Sequence, residues 1–416
     1  MAGSTRRGFL GTTLAFGLGL GVGGRVGAPA AFAPGPPAPL DDDERELADK
    51  MLGSLDRAKI WDAHVHIVGL GSGGTGCWVN PAARSHARPL RRFRYEVYVR
   101  AAGVTDESRA DQQYVERLLS LQRVANPTGK LLCLAFDYAV RQDGSEDRGR
   151  SEFYTPDEYV LGLAREHPEL VACASVHPYR KDALDRLDRA VQAGAVAVKW
   201  LPNAMGIDPL SERCDAFYER LSELDVPLIT HAGDEQAVHV DAWQELGNPL
   251  RLRRALDAGV RVVVAHCAGK GDVQDIDAGD LRRIPAFDAF MRLFNEERYK
   301  SSLFGDLSAL TQVSRAGKPL RELLISKHLG ARLLYGSDYP LPAIDPLVST
   351  RLLAQDGYID DDQREQLNRI YLKNPLLFDL LLKRMLRVSY KNATYGFADA
   401  AFQTADFFEQ RRPLPT

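Results

Sequence analysis

Cysteine is scarce in this chain. Five residues in 416, an odd number scattered along the length, exclude the disulfide framework of a small secreted module. Cys133, Cys173 and Cys267 sit in or beside apolar runs, where cysteine behaves as a small core hydrophobe. An excess of one charge is lacking too. With 53 basic residues against 56 acidic ones the formal net charge is −3, so no field argues for a nucleic-acid partner. A composition 45% hydrophobic and 26% charged is that of neither a disordered tail nor a collagen-like repeat. The chain is long enough for two ordinary domains or for one large barrel.

The first thirty-odd residues are set apart. Ser4-Thr5-Arg6-Arg7-Gly8-Phe9-Leu10 precedes a glycine-rich, mildly apolar stretch that ends near Val26. Paired arginines ahead of a weak apolar core resemble a twin-arginine export signal, here residues 1–33. Cleavage is expected after Ala28-Pro29-Ala30, because cutting after Ala31-Phe32-Ala33 would put Pro34 next to the scissile bond. The alternative is an uncleaved anchor, but the stretch is broken by glycine and shorter than the roughly 20 apolar residues a span needs. The expectation is an exported protein, periplasmic or extracellular, with no membrane span in its mature form. Residues 34–55 read as a linker and an N-terminal helix.

From there the chain alternates short apolar runs with amphipathic stretches, the pattern of a βα repeat. Strands are predicted at Ile60–Ile67, Leu131–Phe136, Leu170–Val176, Val196–Trp200, Pro227–Thr230, Val260–Ala265, Ser302–Leu307 and Arg332–Tyr335. Helical periodicity falls at 110–125, 156–166, 181–193, 211–224, 249–258, 286–299, 319–328 and 361–385. Asp157, Asp182, Ser211 and Asp361–Asp362 fall near proposed helix starts. Several strands are aliphatic without alternation, as expected where both faces are buried. Eight such units make a (β/α)8 TIM barrel over residues 56–385. The tail, 386–416, carries Tyr390, Tyr395, Phe397, Phe402, Phe407 and Phe408, which are expected to pack on the barrel or on a second subunit of a homo-oligomer.

Ionisable residues cluster at strand ends: His64 and His66, His177, Lys199, His231, His266 and Asp338. Barrel enzymes assemble their sites there. In Asp62-Ala63-His64-Val65-His66 the period of two sends both imidazoles to one face, a ready pair of ligands for a borderline metal. Standing alone, the pair reads equally as two core histidines making structural hydrogen bonds.

Taken together, DAHVHI, VKWLP, THAG, AHCAG and YGSDYP resemble the motifs of the amidohydrolase superfamily, closest to its amidohydrolase-related branch of lactonases, other hydrolases and aromatic-acid decarboxylases. The resemblance spans about Asp56 to Met385. It implies that His64, His66, His231 and Asp338 hold one catalytic divalent ion, zinc, with manganese or iron as alternatives. It implies further that Asp338 takes the proton of an activated water. His266 then either polarises the reacting carbonyl or, in the decarboxylating members, acts as acid–base, with a structural histidine as the alternative. Lys199 is expected to line the pocket in a one-metal site, the other reading being a carbamylated bridge between two metals. The implied activity is hydrolysis of a C–N or C–O bond in a small cyclic amide, ester or lactone. Non-oxidative decarboxylation of an unsaturated or aromatic acid is the alternative on the same scaffold, and a barrel that binds without catalysis is a third.

Several positions stay open. His177 could face the substrate or cap its strand before Pro178. Asp306 supports the site or caps the following turn. His86, His167, His239 and His328 read as solvated, and nothing near Cys77 argues for a reactive thiolate. The insertion Gly69–Arg100 carries Trp78, Phe93, Tyr95 and Tyr98, with Arg84, Arg88, Arg91, Arg92 and Arg94 among its arginines. It is either a lid suited to a carboxylate or planar substrate or a solvated charge run. The loop Cys267–Pro285, with Lys270, Asp272 and Asp275, is expected to form the opposite wall.

Overall fold

The computed structural model describes residues 35–409, apart from 239, 241, 242, 281 and 346. The expected signal segment 1–33 and His239 lie outside the described residues. Eight parallel strands form one sheet in chain order. They are β1 Trp61–His66, β2 Lys130–Leu134, β3 Leu170–Ala174, β4 Ala197–Trp200, β5 Leu228–His231, β6 Val262–Ala265, β7 Leu303–Asp306 and β8 Leu333–Leu334. Each bound lies within about two residues of the expected one. The sheet's two edges meet: Ala63 N donates to Tyr335 O at 2.9 Å and His66 N to Tyr339 O at 3.0 Å. Val65 also bridges Tyr339 in parallel. The closed sheet, wrapped by helices, is the TIM barrel.

Alternate side chains fill the lumen, among them Leu132, Leu134, Cys173, Ala197, Ile229 and Val263. Their neighbours Cys133, Ala172, Val198, Leu228 and Val262 pack outward against the helices. Burial on both faces is why these strands read as unbroken aliphatic runs. Each such side chain contributes roughly 1.5–3 kcal/mol of burial. β1 departs from strict alternation, with a register shift between Asp62 and Val65. Ala63 lies in the lumen and Val65 in the outer layer. The bulge therefore turns Ala63 and His64 inward in succession.

The chain's own tail closes the N-terminal end of the barrel. Phe408 stacks on Trp61 with ring centroids 6.2 Å apart. Trp61 N donates to Thr404 Oγ1 at 3.1 Å, and Tyr335 N donates to Ala401 O at 2.7 Å. Phe402 and Phe408 are buried there, while Tyr390 stays exposed.

Two helical expectations change. The stretch 361–385 is two helices, Asp361–Lys373 and Pro375–Met385. Pro375 lacks the amide hydrogen a continuous helix requires, and the Asn374 side chain accepts from Leu377 N at 3.0 Å to start the second. The insertion after β1 is also more ordered than a loop. It holds a short strand, Trp78–Val79, paired with Phe153–Tyr154, and a helix, Pro89–Ala101. Among the described residues no helix is long and apolar enough to cross a membrane.

Candidate active site

In the lumen, a residue two positions beyond each apolar layer reaches the rim. Ile229 is followed by His231, Ala197 by Lys199 and Phe304 by Asp306. The β8 turn then delivers Asp338. Its tight approach needs Gly336, where an added Cβ would lie 2.9 Å from His64 Cβ.

Four histidines, two aspartates and a lysine meet at this rim. His64 Nδ1 lies 2.8 Å from Asp306 Oδ2. That contact places the proton on Nδ1 and leaves the Nε2 lone pair facing the centre, 3.5 Å from Asp338 Oδ1 and 3.3 Å from Lys199 Nζ. His66 Nε2 is 3.2 Å from the same Asp338 oxygen. His266 Nδ1 lies 2.7 Å from Ser308 Oγ and 3.1 Å from Ser308 O, so its Nε2 is the proton-free nitrogen, 3.9 Å from Asp338 Oδ2. His231 packs at 5.4 Å, centroid to centroid, from His266. Its Nδ1 is 3.5 Å from Glu235 Oε2, and its buried Nε2 has no hydrogen-bond partner among the described residues.

Burial sets the charge states. It holds the His64 and His266 imidazoles well below their ordinary range and brings His231 down to about 4. It also lowers the Lys199 ammonium. Neutral imidazole is the form that binds metal.

His64, His66 and Asp338 bring one donor atom each within 4.8 Å of one another. His231 lies outside this triad but lines the same cavity, and its buried Nε2, without a hydrogen-bond partner among the described residues, is the candidate fourth donor. Three imidazole nitrogens and a carboxylate suit zinc, manganese or iron(II). A second cluster, His64, His266 and Asp306, is equally tight. There the Asp306 oxygens are already engaged, by His64 Nδ1, by His266 N at 2.8 Å and by Ser308 N at 3.1 Å. Asp306 is thus a positioning residue for two histidines, and it also caps the turn.

The backbone is strained where the chemistry sits. Asp338 has φ +68° and His266 φ +55°, a region that disfavours side chains other than glycine. Asp338 N donates to His64 O at 2.8 Å, which ties the strained turn to β1.

The rim opens into a cavity of about 640 Å³ lined by His64, His66, Lys199, His231, His266 and Asp338. His177 does not line it. That side chain is fully buried, its Nε2 lies 3.0 Å from Met205 O, and its Nδ1 accepts from Tyr179 N at 3.1 Å. The expected substrate contact is therefore corrected to a structural one, because both ring nitrogens are committed to backbone. His86 and His328 are exposed and His167 is half-buried. The Cys77 thiol is pushed up to about 12 by burial.

Of the insertion's arginines, Arg88, Arg91 and Arg94 line the cavity. Arg91 pairs with Glu152, and Arg84 pairs with Glu107 away from the cavity. Lys270 lines the opposite wall, whereas Asp275 binds Arg282 and Arg292 outside it. Sequence reasoning missed Arg315. It lies beyond β7 in no motif, lines the cavity, and donates from Nη1 to Gln312 Oε1 at 3.0 Å. Its buried Nε has no hydrogen-bond partner among the described residues. Asp111 was missed as well. Its carboxylate accepts from Leu70 N at 2.6 Å and Gly71 N at 3.1 Å, which anchors the insertion to the barrel.

A family model described as amidohydrolase matches residues 61–377. No curated protein matches the sequence. Among solved structures, an uncharacterized TIM-barrel protein from Bordetella bronchiseptica is similar at 15% identity, with 78% of this chain and 99% of that one covered and a TM-score of 0.46. A probable 2-pyrone-4,6-dicarboxylic acid hydrolase from Acinetobacter baumannii, with citric acid bound, is 14% identical over 78% of this chain and 99% of that one, TM-score 0.42. A 5-carboxyvanillate decarboxylase from Novosphingobium aromaticivorans, complexed with manganese and a nitrobenzoic acid, is 12% identical over 84% and 96%, TM-score 0.43.

Proposed function

The chain belongs to the amidohydrolase family, and on that premise we propose that it hydrolyses a C–N or C–O bond of a cyclic amide, ester or lactone that bears a carboxylate. The observation that carries this reading is the position of Asp338, one oxygen 3.2 Å from His66 Nε2 and the other 3.9 Å from His266 Nε2. His64, His66, His231 and Asp338 would hold a divalent ion, zinc by our reading. When bound, such an ion lowers the pKa of a coordinated water to about 7, so that a nucleophile exists at neutral pH.

The protein's own groups do the rest. Asp338 is placed to accept the water's proton. His266, neutral and with its free Nε2 toward Asp338, is placed to take that proton and give it to the leaving group. This role follows from the tautomer that Ser308 selects, which makes Nε2 an acceptor and not a donor to a carbonyl. Lys199, held 3.3 Å from His64 Nε2, contributes positive potential at the point where negative charge builds on the substrate oxygen. Arg315, with its unpartnered Nε, is the group we assign to the substrate carboxylate.

The test is a panel of lactones, cyclic amides and unsaturated or aromatic acids, scored for acid formation and for CO₂. Acid formation from the first two classes supports the reading, and CO₂ release without ring opening contradicts it. We also propose that the enzyme is exported. Arg6-Arg7 before the apolar stretch supports this, and an Arg6→Lys/Arg7→Lys double substitution is expected to hold the protein in the cytoplasm on cell fractionation.

A further inference from the structure

The cavity is much larger than a ring-sized reacting group requires, and its two sides differ in chemistry. Polar groups gather at the barrel rim and on the walls bearing Arg315 and Lys270; on the insertion side Arg88, Arg94 and the Arg91–Glu152 pair also line the cavity, among mostly apolar neighbours. The far side is largely apolar: Leu70, Val79 and Val99 of the insertion face the same space as Phe136 and Phe153 from the connection after β2. The rings of Phe136 and Phe153 lie with centroids 4.1 Å apart and planes tilted by 30°, which gives that wall an aromatic surface. The helix Pro89–Ala101 turns only Val97 and Ala101 fully into the core. Val99, on the same helix, lines the cavity instead. Tyr98 roofs it, its hydroxyl donating to Ala237 O at 3.2 Å across to the β5 loop. An apolar chamber continuous with a polar reaction centre matches an amphiphilic ligand, whose apolar part must leave water on binding.

We propose that the substrate carries an apolar arm, an alkyl chain or fused ring beyond the scissile bond, and that the insertion wall around Val99 and Val79 selects it. This rests on the hydrolase reading for the identity of the bond but not for the binding of the arm. In a hydrolysed ester or lactone the C–O bond to the acyl carbon breaks. Water supplies hydroxide to that carbon and a proton to the leaving alkoxide, so an arm on the acyl side, or anywhere on a lactone ring, stays with the acid product.

The experiment is titration calorimetry on the metal-loaded full-length protein with butanoate, hexanoate, octanoate and decanoate, which needs no turnover. Binding is expected to tighten about threefold per added methylene until the chamber is filled. The α,ω-diacids of equal length are expected to lose that gain. Val99→Trp and Val79→Phe, each checked for a native melting transition, should flatten the chain-length series while leaving butanoate unchanged. Equal affinity along the series, equal binding of the diacids, or a series untouched by both substitutions would overturn the proposal. A chain-length series that persists in an enzyme hydrolysing nothing in the panel would sink the hydrolase reading and leave the apolar arm standing.

Discussion

Asp306 Oδ2 lies 2.8 Å from His64 Nδ1, in a contact sealed from solvent. The pair fixes which nitrogen of His64 faces the cation site, and the other oxygen of Asp306 does the same for the backbone of His266 at 2.8 Å. On the proposed reading, one carboxylate thereby orients a metal ligand and a proton carrier together.

The Asp306→Asn substitution keeps the shape and removes that preference. Metal affinity is expected to fall by about 10–100-fold, as for other supports of metal-bound histidine. Competition with a chelator, followed by metal analysis, measures it. Unchanged affinity would mean that the orientation of His64 is set elsewhere.

Arg315→Met is expected to raise KM for carboxylate-bearing substrates by about 10–100-fold, the worth of a charge-assisted hydrogen bond of roughly 1.5–3 kcal/mol. KM for the corresponding methyl esters should not move. Steady-state kinetics on matched acid and ester pairs checks this, and an equal rise for both would remove Arg315 from the anion-binding role.

His177 gives the pH prediction. Burial lowers its imidazole from 6.5 to about 4. Between these values the unfolded chain binds a proton that the folded chain refuses, so the stabilisation is present above pH 6.5 and is lost as pH falls toward 4. His177→Gln should therefore flatten the acid side of the stability curve by up to about 1.4 kcal/mol per pH unit. A residual slope from His231, also lowered to about 4, should remain. At neutral pH the variant should be less stable by about 1–3 kcal/mol through its lost backbone contacts. Its kcat, measured below its melting temperature, should match the parent. A large kcat loss in a folded variant would restore His177 to the site.

The legible part of the molecule was the part with a period or a motif. The strands were readable because burial on both faces writes aliphatic runs, and their ends because His231, His266 and Asp338 interrupt those runs. Three kinds of residue were not readable. Arg315 and Asp111 act through contacts made across the chain, on a loop and on a helix whose local sequence carries no sign of them. The helix Pro89–Ala101 hid because its apolar residues divide between core and cavity and its arginines dilute the periodicity. His177 misled for the opposite reason. It ends a strand as the candidate ligands do, but Tyr179 N from the turn after Pro178 and Met205 O from the helix after β4 hold its ring and withdraw it from the cavity.

On the proposed reading, β1, β5 and the turn after β8 converge to hold one catalytic cation. Metal analysis of the purified protein, repeated on His66→Ala and Asp338→Ala and coupled to lactone hydrolysis, tests it most directly. We predict one equivalent of divalent metal in the parent, loss of metal in both variants, and hydrolysis that vanishes on chelation and returns with added zinc. Full hydrolysis by metal-free protein, or an undiminished metal content in both variants, would contradict it.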